Sequence, residues 1–185
     1  SGVTLTADAA PSNGSGTLTV AAGATVDGGS GGIVLNAASS NIAGTLLTSG
    51  PMNLTTSGDM LLRFMTAGSL NMNVGGSIND ANGDINNLSM GTDSFITVGG
   101  TIGTAQNPIE FTLASGDLHL TIRGLSGIIS GVLHGSLPGR IALDNIPQGL
   151  VLLNNIVIGG ALLPSLSTGV AASFKDAVTA TSDQI

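Results

Sequence analysis

Two stretches decide the fold: Ser69 to Ile78, SLNMNVGGSI, and Ser94 to Ile102, SFITVGGTI. With Val74 set against Val98, Gly75-Gly76 falls on Gly99-Gly100, Ile78 on Ile102 and Ile85 on Ile109, all at a constant offset of 24. A third pass begins at Leu118-His119-Leu120-Thr121-Ile122, and GTLTVAAGATV, from Gly16, imitates the pattern at an offset of 52. In each copy apolar residues alternate with Asn, Thr, Ser or His, which marks a strand with one buried face. The glycine pairs between strands permit sharp bends.

A repeat of about 20 to 25 residues made only of strands and turns cannot enclose its own apolar side chains, so it must stack on its neighbours. The expected fold is all-β, a parallel β-helix with one coil per repeat and equivalent strands paired from coil to coil. A leucine-rich repeat has a similar period but needs an L-x-x-L-x-L-x-x-N frame, which Leu118-His119-Leu120 lacks.

Outward from this centre, residues 1 to 66 read as a looser version of the pattern. Strands of three to five residues are expected at Val3 to Thr6, Leu18 to Val20, Ile33 to Leu35, Leu46-Leu47, Met52 to Leu54 and Met60 to Phe64. Leu18 and Val20 should point inward while Thr17 and Thr19 face water. Residues 67 to 123 are the regular part, with Pro108 at the mouth of a strand whose Ile109, Phe111 and Leu113 share one face. Residues 124 to 165 read as apolar terminal coils or a cap, so that the helix is expected over residues 1 to 165. Residues 166 to 185 read as a short helix, a cap or a linker, with Phe174 and Val178 on one helical face.

Charge narrows the function. The 185 residues carry four basic side chains, Arg63, Arg123, Arg140 and Lys175, against eleven acidic ones, for a formal charge of −7. Nucleic acid and anionic membrane surfaces are excluded as partners, because both need clustered Lys and Arg. With 42% apolar residues the chain is too hydrophobic for wholesale disorder. There is no cysteine, which is compatible with a secreted repeat protein whose stacking supplies its core. The opening SGVTLTADAA lacks signal-peptide features, so a targeting segment is expected to have been removed or to lie upstream. Membrane insertion is not expected, since the apolar run from Gly149 to Leu163 is broken by Asn154-Asn155 and is shorter than the roughly 20 residues needed to span a bilayer.

The residues offer little chemistry, and no cofactor is expected. His119 and His134 lack the further ligands a zinc site needs. Asp93 and Asp117 lie one repeat apart and Asp59 sits in a similar Ser-Gly-Asp turn. Adjacent coils are about 4.8 Å apart, and glycosidic cleavage needs paired carboxylates about 5 to 10 Å apart. At turn positions, however, Asp usually bonds nearby backbone. The missing basic residues also speak against a polyuronate lyase, so no catalytic residue is assigned. Asp80, Asn82, Asp84 and Asn86 imitate the opening of a calcium loop, but Ile85 stands where glycine is required and Gly91 where the bidentate Glu belongs. An Asn/Asp/Gly turn at a coil corner is the favoured reading. There is no Trp or Tyr, and Phe64, Phe95 and Phe111 are expected in the core, which leaves no discrete binding site.

The segment from Val98 to Ile109, with Ala114 to Leu120 behind it, resembles the filamentous-haemagglutinin repeats of bacterial two-partner-secreted exoproteins. Gly100, Ile102, Gly103, Asn107, Pro108 and Ile109 match the family's G-x-I-G-x-x-x-N-P-[IL] pattern one by one. The copy at Gly76-Ser77-Ile78-Asn79 departs from it at Asn79 and Gly83-Asp84. The resemblance implies a right-handed β-helical stem of a long surface adhesin. Such a stem is exported through an outer-membrane transporter, meets adjoining coils or copies of itself, and serves attachment to host or neighbouring cells or biofilm. The secretion-domain NPNG and NPxG signatures are absent from these residues, which points to stem rather than transporter-recognition region. Two other functions remain open on the sequence: a self-assembling filament or surface-layer subunit, and a carbohydrate-processing β-helix using surface carboxylates.

Overall fold

A computed structural model describes residues 1–7, 15–83, 85–104 and 106–123, and beyond them the backbone of strands between 129 and 173. Seven strands form the first sheet, in the order β1 (Val3–Thr6), β4 (Ile33–Ala37), β6 (Pro51–Thr56), β8 (Ser69–Val74), β11 (Ser94–Val98), β13 (Leu118–Ile122) and β15 (Ile141–Asn145). The second sheet runs along β2 (Thr17–Val20), β5 (Ser39–Thr48), β7 (Met60–Ala67), β10 (Leu88–Met90), β12 (Ile109–Leu113), β14 (Ile129–Leu137), β16 (Leu150–Ile158) and β17 (Ala161–Leu162). Alongside it, β3 (Thr25–Gly29) pairs with β5, β9 (Ile78–Asp80) with β7, and β18 (Ala172–Ser173) with β16. From β4 to β16 the chain alternates between the sheets, except that β9 and β10 both belong to the second. Each strand pairs in parallel with its counterpart in the next coil, apart from the antiparallel β16 and β17. This is a parallel β-solenoid, all-β among the described residues.

The repeat is read correctly at its centre. Met72 pairs with Ile96 and Val74 with Val98, in parallel and at the expected offset of 24, and Ile78 bridges Ile102. Alternation then sorts the side chains. One inward column of the first sheet is Leu35, Leu54, Met72, Ile96 and Leu120, and one of the second is Leu46, Met65, Leu88 and Phe111, all buried. Burying each such side chain is worth about 1.5 to 3 kcal/mol, and the columns run uninterrupted through successive coils.

Three expectations need correction. The strands of the first part of the chain are not all short: β5 has ten residues and β7 eight. They keep pairing as they turn a corner, where the register slips between Ile42 and Thr45. The likeness of Gly16–Val20 to Gly68–Met72 is not an equivalence, because β2 lies in the second sheet and β8 in the first. Alternation has the same period on both sheets and cannot tell them apart. Ile85 is not the counterpart of Ile109: it is 59% exposed, whereas Ile109 is fully buried. The chain leaves the sheet between Asp80 and Leu88, and the offset slips from 24 at Ile78 and Ile102 to 23 at Leu88 and Phe111.

Within the stretch 124 to 165, read as terminal coils or a cap, lie β14, β15 and β16, with residues 124–128 and 138–140 among those outside the described ones. Of the helix expected over 171–180, Ala172–Ser173 form a strand against β16, and the rest, with Phe174 and Val178, lies outside the described residues.

Candidate functional site

The acidic turns come first, because catalysis would need them free. A solenoid corner leaves backbone N–H groups between ladders, and each must find an acceptor. Asp59 meets this need for the next coil, its Oδ1 accepting from the Ser77 N–H at 2.7 Å. Ser77 passes the pattern on, its Oγ accepting from the Thr101 N–H at 3.0 Å. At the opposite corner the Asp93 Oδ1 accepts from the Asp117 N–H at 2.8 Å. Asp93 and Asp117 are thus brought into adjacent coils, as the sequence spacing implies, with one Asp93 oxygen committed to the backbone of Asp117.

The calcium-like loop has a different centre from the one its spacing suggests. Asp80 Oδ1 accepts from the Asn82 N–H at 2.9 Å and Oδ2 from the Gly83 N–H at 2.7 Å, a turn closed on itself. The oxygens Asp80 Oδ1, Asn82 Oδ1, Leu62 O and Arg63 O then converge on one atom, the Asn87 amide nitrogen, at 2.7, 2.8, 3.3 and 3.2 Å. An amide nitrogen has two hydrogens, so the two short contacts are the principal bonds. Asn86 turns away and donates to Thr112 Oγ1 at 3.2 Å, and Asp84 lies outside the described residues. Asn87 itself is fully buried, and its Oδ1 accepts from the Glu110 N–H at 2.9 Å. It ties three coils together. Sequence reasoning missed it because the search for ligand spacing stopped at Asn86; its signal was an Asn immediately before the apolar strand Leu88 to Met90.

Each residue of the repeat signature has a mechanical reason. Gly103 adopts a φ of 63°, which favours glycine, and its N–H reaches the Ile78 carbonyl at 2.8 Å. Thr104 and Asn107 close the corner: the Asn107 N–H donates to Thr104 Oγ1 at 3.1 Å and the Thr104 N–H to the Asn107 carbonyl at 2.8 Å. The corner is therefore made by the Thr104 side chain and the Asn107 backbone, and Asn107 itself is exposed. Pro108 and Ile109 are buried at the entry to β12, and Ile102 is buried against Ile78. A Cβ on Gly100 would overlap Ser77 Oγ, so the pair Gly99-Gly100 can lie directly on the coil beneath.

The histidines lie in different sheets: His119 in β13, and His134 in β14 opposite Glu110. Among the described residues no three His, Cys, Asp or Glu are grouped to hold a metal. His119 is half-buried on the outer face, as its place between buried Leu118 and Leu120 requires. Phe95 corrects the expectation of core packing. It is 48% exposed, faces outward beside His119, and the two rings stack with centroids 4.5 Å apart and planes 13° from parallel. Phe111 is buried and Phe64 half-buried. Next to this face lies a shallow hollow of about 360 Å³ lined in part by Asn36, Thr55, Thr56 and Asn73.

Fold and corners together define a repeat protein of the parallel β-solenoid class. No protein-family model matches the chain, and no curated protein or solved structure is significantly similar to it.

Proposed function

We propose that this chain is a structural stem segment of a long secreted bacterial surface protein serving adhesion, biofilm or cell-to-cell contact, of the filamentous-haemagglutinin-like kind. The observation that carries this reading is the continuity of the inward columns across coils of unequal length, which is what a rod built by repetition needs. Gly100, Ile102 and Gly103 each have a role that the neighbouring coil imposes, and Asn107, Pro108 and Ile109 complete the same corner, which supports the family resemblance. Export through an outer-membrane transporter and display at the cell surface follow from that resemblance. The commitment of Asp59 and Asp93 oxygens to backbone donors favours a scaffold over a carbohydrate-cleaving enzyme.

The test is localisation joined to function. Antibody raised against the chain should label intact producing cells at a distance from the outer membrane, and disrupting the coil at Ile109 should abolish both labelling and cell adhesion. A cytoplasmic pool shielded from added protease in intact cells would overturn the reading. Cleavage of a polysaccharide that disappears in an Asp93→Asn, Asp117→Asn variant would favour the enzyme instead.

A further inference from the structure

We propose that the outer face of the first sheet, around Phe95, binds a neutral, equatorially linked pyranose chain. Three observations converge on it. The pairing register sets Asn53, Asn71, Phe95 and His119 in one outward column, with Asn73 and Thr97 in the column beside it. None of these six carries a fixed charge, although the chain as a whole bears −7, so the face repels neither sign and offers nothing to an ionic ligand.

The second observation is the step in that column. His119 covers one side of the Phe95 ring, and the other neighbour in the ladder is the shorter Asn71. Phe95 therefore stands as an apolar wall above a floor of amides. The C–H face of a pyranose packs against such a wall, while its equatorial hydroxyls lie over groups that both donate and accept. The stack holds the ring in place beforehand, so less ordering entropy is lost on binding.

Third, the repeat of the floor suits a polymer. A pyranose stacked on the Phe95 ring lies across the rod, and its equatorial linkages carry a flat chain along the strand, from Asn71 toward Asn73, outward positions two residues and roughly 6.6 Å apart. The hollow at Asn36, Thr55 and Asn73 continues the floor on the open side of the wall. This face stands apart from the stem reading: a cytoplasmic location would refute the stem and leave the face untouched.

Amide shifts of the 185-residue chain, followed by NMR during titration with the β-1,4-linked cellohexaose, mannohexaose and xylohexaose, test the proposal, with β-1,4-linked polymannuronate as the charged counterpart. At least one neutral chain should shift the amides of residues 71, 73, 95 and 97 in a saturable way. Phe95→Ala should weaken that binding by about fivefold, and Phe95→Leu should weaken it similarly, because flatness and not apolarity alone makes the wall. Both variants should melt as the parent does. No shift on this face with any of the three neutral chains, binding of polymannuronate alone, unchanged affinity in Phe95→Ala, or shifts that instead track self-association of the chain would each overturn the proposal.

Discussion

The short coils and the long coils turn the same corner by opposite means. In the short ones, β5 and β7 run through the corner as continuous strands, and Gly44 provides the room: a Cβ there would lie 2.8 Å from Val20 Cγ1 and overlap the carbonyl oxygens of Ala21 and Ala24. In the next coil Met60 pairs with Ile78 at an offset of 18, whereas Met65 pairs with Leu88 at an offset of 23. Five extra residues lie between β9 and β10, and the inward column Val20, Ile42, Leu62 reaches Asp80 at that point. Asn87 fills the opening with hydrogen bonds where the shorter coils fill it by close packing. Polar side chains can therefore substitute for ladder pairing, provided that every donor and acceptor is matched.

The largest expected effect lies just beyond that corner, in the long coils. Ile109→Asp places a carboxylate in a fully buried apolar column, at a cost of several kcal/mol. Denaturant melts should show the chain largely unfolded; a variant that melts like the parent would mean that the β12 phase is wrong.

Next come the two corners themselves. Gly44→Ala should destabilise by about 1 to 3 kcal/mol through overpacking against backbone. Asn87→Leu should cost about 3 kcal/mol, because it strands the Glu110 N–H and the acceptors around Asn87 Nδ2. Equal melting of parent and Asn87→Leu would show that the amide is incidental. Asn87→Asp sharpens the point, since it presents an oxygen where four oxygens already converge. It should be destabilised without metal and recover with millimolar calcium, which Asn87→Leu should not. Failure of calcium to raise its melting temperature would place the oxygens too loosely for an ion.

The smallest contrast is within the repeat signature. Thr104→Ala should cost about 1 kcal/mol by removing the acceptor of the Asn107 N–H, while Asn107→Ala should stay within about 0.5 kcal/mol. The reverse order would mean that the Asn107 side chain, not that of Thr104, closes the turn.

These contrasts also mark what the sequence made legible. Ser69 to Ile102 showed the stacking and its phase, because a two-residue period and a repeat of fixed length are both written in one dimension. The membership of a strand in one sheet or the other was not legible, as Gly16 to Val20 illustrates, because alternation looks alike on both. Nor was Asn87: its four oxygen neighbours come from residues 62, 63, 80 and 82, and only folding assembles them. Phe95 sits in a strand context that favours the core, yet its place one residue before buried Ile96 puts it on the outer face.

Because the strands lie across the long axis, the bonds between coils lie along it, and a pull on the two ends meets one rung at a time. Each coil that peels away frees 18 to 30 residues, and at about 3.3 Å per residue that is roughly 60 to 100 Å of slack. A tether of this design lengthens in steps under load, each step dissipating work before the next coil is strained, and a single-molecule force trace would record it as a staircase with its tallest step at the first coil, low ones at the two coils after it, and taller ones again from the coil containing Asn87 onward.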